Sequence, residues 1–397
     1  MDVVVQKYGG SSVSCTDKIK SIAKNIIQRK KQNSKIVVVV SAMGDTTDSY
    51  IKLASDITKK PNKRELDVLM STGEMISASL LAMALNSLGC ESISYSAYQL
   101  EISTSGFHGK SQIDDINVSK IEKSLDEGKV VIVTGFQGIN DKGDITTLGR
   151  GGSDTSAVAL AIKLNGKCEI YTDVDGIYST DPRKYKDAKK LEEIEYEEML
   201  ELASSGAQVM HSRSIELAQK YGIEIYVGLS CGQERGTYIR GGKEVKLENK
   251  IITGLATSDE DTSITIKGFN SNNIAELFED IANKGISVDM ISQTAPVDER
   301  IGLSFTIPKE ELKECRVIVS RYANDEEVII DDNITKFSLV GLGMKNTHGV
   351  ASRVFKIFNE NNIGIKLITT SEIRITCAID NKDKQIAIDK IAQGFDL

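Results

Sequence analysis

Three short runs of β-branched residues, Val3–Val5, Ile36–Val40 and Val130–Val133, constrain this chain more than any other feature of it. Unbroken apolar runs of this length suit strands buried on both faces, because a strand with one wet face alternates instead. Each run leads into a loop of glycine and hydroxyl residues: "KYGGSSV" at 7–13, "SAMGDTTD" at 41–48 and "TGFQG" at 134–138. Between the first two, Ile19, Ile22, Ile26 and Ile27 form one apolar stripe of a helix. Buried strands alternating with helices predict an α/β layer fold, in which ligands collect at the carboxyl ends of the strands.

A fourth glycine-rich stretch, "TTLGRGGSDTSAVALAIKLNG" at 146–166, sets an arginine among small residues and then opens an apolar helix near Asp154. The unpaired amides of a helix start and the five-donor fork of Arg150 together suit a carboxylate or a phosphate. "STGE" at 71–74 precedes an apolar helix at 75–89, and "CEIYTDVDGIYSTDPRK" at 168–184 follows the Arg150 helix. The helical stretch 195–220 completes this unit, and periodicity is lost in the polar segment near 235–250. None of the loops has the GxxxxGK[ST], GxGxxG or GxSxG pattern.

The last third has another rhythm. "NIAELFEDIANKGISVDMIS" at 273–292 lies over "VASRVFKIFNENNIGIKLIT" at 350–369. The overlay pairs Leu277 with Val354, Phe278 with Phe355, Ile281 with Phe358, Ile286 with Ile363 and Met290 with Leu367. This predicts a repeated strand–helix–strand unit, set side by side or across a dimer.

Bulk properties remove several classes of function. A net charge of -8 gives no positive field to recruit nucleic acid or an acidic membrane. The cluster Arg29–Lys31 reads as a solvated helix end. No run reaches the length of a membrane span, and the amino terminus lacks a secretory pattern. Six cysteines without a CxxC pair and three histidines argue against a disulfide framework and a structural zinc site. Cys15, Cys90, Cys168 and Cys377 read as small core residues, and a reducing cytoplasm is the expected compartment.

Within the loops, Lys7 stands after the first strand beside Gly9, Gly10 and Ser11. A point charge among backbone donors suits nucleotide phosphates, and a sheet-edge lysine beside a tight turn is the plain alternative. Asp154 is either a helix N-cap or a carboxylate that orients a lysine or a metal-bound water. Asp173 also falls near a sheet end. Glu74 either complements a helix dipole or receives a substrate ammonium.

Taken in order, the segments at 7–13, 41–48, 71–74, 146–158 and 171–183 resemble the amino-acid-kinase family in its aspartate-kinase form, which carries tandem ACT domains. The resemblance spans essentially the whole chain, with "LGRGGSDTSA" its most specific part. It implies a three-layer α/β kinase domain over 1–245 and an α+β regulatory region over 246–397. In that region a second ACT unit (about 333–385) would be inserted in the first (about 262–332), whose final strand would come from the chain terminus. The implied activity is ATP-dependent phosphorylation of the L-aspartate side-chain carboxylate, on the way to lysine, threonine and methionine, with Mg²⁺ accompanying the nucleotide and no dedicated metal ligands. Lys7 and Asp154 would be catalytic; Ser41, Thr47, Glu74 and Arg150 would bind aspartate. Lys7, Gly9, Gly10, Ser11, Thr172, Asp173, Tyr178 and Arg183 would bind ATP. Asp289 and Gln293 would contact feedback lysine, threonine or both, in a homodimer or higher homo-oligomer. Gln208 and Ser212 depart from the family, which favours lysine and proline there, so Gln208 is left out of the phosphate-neutralising set. A kinase of the same family acting on another acid, and a noncatalytic amino-acid sensor, are the competing readings.

Overall fold

The computed structural model describes residues 2–32, 35–207, 209–231, 235–242 and 250–397. Gln208 and the expected domain boundary at 245/246 lie outside them. The chain forms two compact units. The first takes Met1–Ile177, Lys190–Leu200 and Gln208–Val245; the second takes Tyr178–Lys189, Glu201–Ala207 and Lys246–Leu397.

In the first unit the chain runs β1 (Val3–Tyr8), α1 (Thr16–Lys30), β2 (Lys35–Val40), α2 (Thr46–Ile57), α3 (Lys63–Ser87), β3 (Ser92–Tyr95), β4 (Ser103–Ser105) and β5 (Gln112–Asp115). It continues through α4 (Ser119–Asp126), β6 (Val130–Thr134), β7 (Gln137–Ile139), β8 (Ile145–Thr147), α5 (Gly152–Lys163) and β9 (Lys167–Thr172). Then follow β10 (Glu193–Ile194), α6 (Tyr196–Ser204, whose last four residues fall in the second unit), α7 (Ser212–Tyr221), β11 (Ile225–Leu229) and β12 (Thr237–Ile239). The main sheet has the order β10-β12-β11-β9-β1-β2-β6-β3. The valine runs are its buried centre, where β1 pairs in parallel with both β2 and β9 and β2 pairs with β6. One face packs Val4, Tyr8, Val38, Val40 and Ile132 against Ile19, Ile22 and Ile26 of α1 and Leu81 and Leu85 of α3. The other face receives α5, itself packed on α7. The α/β layering read from the valine runs is therefore present.

Several local expectations change. α3 begins at Lys63, where Asn62 caps it by accepting from the Arg64 amide at 2.9 Å, so "STGE" lies inside the helix. At 25 residues α3 is also long and apolar enough to cross a membrane, where no such run was expected; half of that window is buried inside the fold. Cys15 is exposed at the start of α1, whereas Cys90, Cys168 and Cys377 are buried. Arg29 pairs with the buried Glu169 at 2.9 Å and is no mere solvated helix end. A second sheet of the order β5-β4-β7-β8 was not foreseen.

The second unit holds β13 (Gly254–Ser258), β14 (Asp261–Asn270), α8 (Ile274–Asn283), β15 (Ile291–Gln293), β16 (Arg300–Pro308), α9 (Leu312–Val319) and β17 (Val328–Asp331). After these come β18 (Ile334–Val340), α10 (Val350–Glu360), β19 (Ile365–Thr370), β20 (Arg374–Asp380) and α11 (Lys384–Phe395). It has two antiparallel sheets, β15-β16-β14-β17 and β13-β18-β20-β19, each carrying two helices over its own apolar core. The predicted repeat shows in matched burial: Leu277 and Val354 are 0% exposed, Ile281 and Phe358 1%, Ile286 and Ile363 6%. Phe355, at 39% exposed, is not a core residue. The nesting is the reverse of that expected. β13 precedes the first repeat yet completes the second sheet beside β18, and the chain ends in α11 instead of a strand of the first sheet. Apolar continuity in "IAIDKIAQGF" is equally compatible with strand and helix, which is why the sequence misled here.

Candidate active site

Parallel pairing aligns the carboxyl ends of β9, β1, β2 and β6, and the loops leaving them meet at one edge. The side chains of β1 alternate. Val4 and Tyr8 enter the α1/α3 core, and Lys7 faces α5. Its Nζ lies 2.7 Å from Oδ1 of Asp154, with both side chains about nine-tenths buried (12% and 9% exposed). The N-cap of α5 is Gly151, whose φ of 68° places it in the left-handed region and which offers no side-chain cap. A Cβ there would meet the His211 side chain at 2.2 Å, so glycine is required on both counts. Asp154 sits in the first turn and its carboxylate holds Lys7; the cap alternative is removed.

The loop after β1 is held on two sides. The Gly9 amide donates to the Tyr171 carbonyl at 3.2 Å and the Gly44 amide to the Gly10 carbonyl at 3.0 Å. A Cβ on Gly10 would lie 2.9 Å from the Ala42 carbonyl oxygen, so the 9–13 and 41–48 loops nest only with glycine there. Ser11 is exposed and Ser41 is half-buried. Thr47 lies in the first turn of α2. Across β1, Thr172 ends β9 and its hydroxyl donates to Oδ1 of the exposed Asp173 at 3.0 Å.

Glu74, in mid-α3, is 3% exposed. Its Oε1 accepts from the Ala42 amide at 3.1 Å, while Oε2 is buried with no hydrogen-bond partner among the described residues. Burial pushes its carboxyl up to about 7, against the opposing pull of two backbone amides, its own and that of Ala42. A mid-helix position removes the helix-dipole alternative, which acts only in the first turn. Arg150, between Gly149 and Gly151, is exposed, and its guanidinium has no protein partner among the described residues. The edge thus offers a braced ammonium, a buried carboxylate with one open oxygen and a free guanidinium. Such a set can bind a zwitterion and neutralise a phosphate.

Not every expected residue joins this edge. Tyr178 and Arg183 belong to the second unit, where the Arg183 guanidinium grips Asp181 through two contacts of 3.0 Å. Asp289 and Gln293 are in the second unit as well. Asp289 Oδ2 accepts from Lys336 Nζ at 2.6 Å, and Lys336 also meets Asp261 at 3.0 Å. Two residues escaped the sequence reading. Phe136, at the end of β6, holds a φ of 69°; its amide donates to Ser156 Oγ at 3.1 Å and its carbonyl accepts from the Leu148 amide at 2.9 Å. Only its neighbouring glycines in "TGFQG" hinted at the turn. Asp67, two turns before Glu74 on α3, is 1% exposed and carries no motif at all.

A family model described as the amino acid kinase family matches residues 2–228, and one described as the ACT domain matches 337–395. The aspartokinase of Bacillus sp. (strain MGA3) is 43% identical over 404 residues, covering 100% of this chain and 98% of the relative. The crystal structure of E. coli aspartokinase III in complex with aspartate and ADP (R-state) superposes with a TM-score of 0.85 at 24% identity, covering 100% of both chains. Its complex with lysine and aspartate (T-state) gives 0.78 at 24% identity, again over 100% of both chains.

Proposed function

The chain belongs to the amino-acid kinase family, and from that premise we propose how its residues carry out the aspartokinase reaction. The activity is ATP-dependent phosphorylation of aspartate toward lysine, threonine and methionine, subject to feedback inhibition. The site roles, the effectors and the assembly are our reading.

The observation that carries the reading is Glu74, a buried carboxylate with one oxygen unpartnered among the described residues, in a unit where Arg150 is exposed and has no described partner. An amino acid supplies the ammonium for the first and the α-carboxylate for the second. L-Aspartate held at both points turns its side-chain carboxylate toward Lys7. That carboxylate is ionised at neutral pH and is already a nucleophile, so no protein base is needed. One of its oxygens bonds to the γ-phosphorus of ATP as the bond to the β–γ bridging oxygen breaks, giving 4-phospho-L-aspartate and ADP. Lys7 neutralises charge on the phosphoryl group in flight, and Asp154 keeps its ammonium aimed. The glycine cradle at Gly9 and Gly10, with Ser11, lets the phosphates approach the backbone beside Lys7. Thr172 and Asp173, at the end of β9 in the first unit, hold the nucleotide.

Among the described residues no group of three His, Cys, Asp or Glu side chains gathers to cage a metal. Mg²⁺ fits this site as a companion of the phosphates, where it offsets their charge. Asp289 and Gln293 bind lysine, threonine or both, and the paired ACT units assemble as a homodimer or higher oligomer. Six free cysteines agree with a reducing cytoplasm. The test is acyl-phosphate trapping with hydroxylamine, using ATP and a panel of aspartate, glutamate, acetylglutamate and carbamate. A signal with aspartate alone supports the reading; signal with another acid and none with aspartate overturns it, and no signal at all favours a noncatalytic sensor.

A further inference from the structure

We propose that Asp67 is a positioning residue for the aspartate site, setting the α-carboxylate clamp from beneath. The inference rests on the reading of Arg150 as that clamp. Among the described residues Arg150 has no protein partner, so its place is set by the backbone around it. That backbone is fixed from below: Oδ1 of Asp67 accepts from the Thr147 hydroxyl at 2.6 Å, three residues before Arg150. Oδ2 accepts from the Gly109 amide at 3.1 Å and lies 2.7 Å from Nδ1 of His108.

The two segments gripped by Asp67 also touch each other. The Ser111 amide donates to the Thr147 carbonyl at 3.0 Å. The Gly109 carbonyl oxygen comes within 2.9 Å of the position of a Cβ on Gly149, a residue with φ +79°. Thus Asp67 joins α3, the 107–111 turn and the strand end that leads into Arg150. Seven residues separate Asp67 from Glu74, two helical turns or about 10 Å along one rigid helix. α3 therefore holds both ends of the amino acid in register: the ammonium directly through Glu74, the α-carboxylate through Asp67 and Thr147. A buried carboxylate taken up by three neighbours is costly to disturb, and removing one donor leaves an oxygen unpaired.

Thr147→Val keeps the shape and removes the hydroxyl, Thr147→Ser keeps the hydroxyl, and Asp67→Asn replaces one acceptor oxygen by an NH₂, so the Thr147 hydroxyl and the Gly109 N–H can no longer both donate to residue 67. Full kinetics in aspartate and in ATP, with thermal unfolding of each protein, separate positioning from mere scaffolding. T147V and D67N should raise the aspartate KM about tenfold, the effect of losing a hydrogen bond to a charged group. The ATP KM should stay within about twofold, and T147S should return the aspartate KM to near native. Equal rises in both KM values, or a lower unfolding temperature with native KM values, would make Asp67 scaffold alone and overturn the proposal. Arg150→Ala run beside them distinguishes the failures. If R150A raises the aspartate KM while T147V and D67N do not, only the Asp67 proposal falls; if R150A leaves it unchanged, the clamp reading falls and takes this one with it.

Discussion

With Glu74 as the proposed partner of the substrate ammonium, aspartate recognition should depend on pH in a window where an ordinary glutamate is silent. Burial lifts its carboxyl from 4.5 to about 7. At pH 8 roughly ten in eleven molecules of free enzyme carry the charge, and at pH 6 roughly one in eleven. Only the ionised form offers the ammonium a partner, so the aspartate KM should rise about tenfold from pH 8 to pH 6. The side-chain carboxylate of aspartate stays ionised throughout and adds no slope of its own. Glu74→Gln has no charge to lose. Its KM should be flat over the window and above the native value at pH 8 by on the order of 10- to 100-fold, for a lost charged hydrogen bond of about 1.5–3 kcal/mol. Stability should move the opposite way. The folded state holds this proton more tightly than the unfolded chain, so the resulting stabilisation is complete below 4.5 and is lost as pH rises to about 7. E74Q, freed of a buried unpaired charge, should gain up to about 3 kcal/mol over the native protein at pH 8 and nothing at pH 4.5. Coupled ADP release across pH 6–8 and denaturant unfolding at both extremes measure the two effects. A native aspartate KM that is flat from pH 8 to 6, or the same slope in E74Q, would refute the reasoning.

The remaining site residues make sharper divisions of labour. R150A should raise the aspartate KM by about tenfold or more and leave ATP affinity near native, since one charged clamp is removed; calorimetry with each ligand checks it. Because Gly151 caps α5, Asp154→Asn has no cap to preserve; turnover should fall by about 10²-fold with a small change in thermal unfolding, read by stopped assay and calorimetric scan. Asp289→Ala and Gln293→Ala should weaken inhibition by lysine or threonine while uninhibited turnover stays near native. Inhibition curves with each amino acid, alone and together, test this.

The centre of the fold was legible because its signals are local. Valine runs named β1, β2 and β6, and the isoleucine stripe named α1, since burial on both faces leaves no other use for such runs. The loops were legible through glycine, and Lys7 and Asp154 proved to be partners. What escaped was set by distant pairing. β4, β5, β7 and β8 are three or four residues long and largely polar, so nothing in their period separates them from loop. Asp67 lies in an ordinary helical stretch, and its three neighbours are at least 41 residues away in the chain. The nesting of the repeats turned on β13, five residues whose partner is β18, more than seventy residues later. Glu74 was placed at a helix start, whereas it lies mid-helix, because the mixed segment before "STGE" hid about two earlier turns of α3.

At the centre of the account is the proposal that the migrating phosphoryl group requires the charge on Lys7, which Asp154 braces. Single-turnover rapid quench of Lys7→Met measures it most directly, with ATP and aspartate at saturation and the binding of each confirmed by calorimetry. Both ligands should bind within about tenfold of native, while the transfer step slows by about 10²–10³, the usual loss when one preorganised electrostatic partner is removed. A transfer rate within about twofold of native, with both ligands bound, would contradict the account.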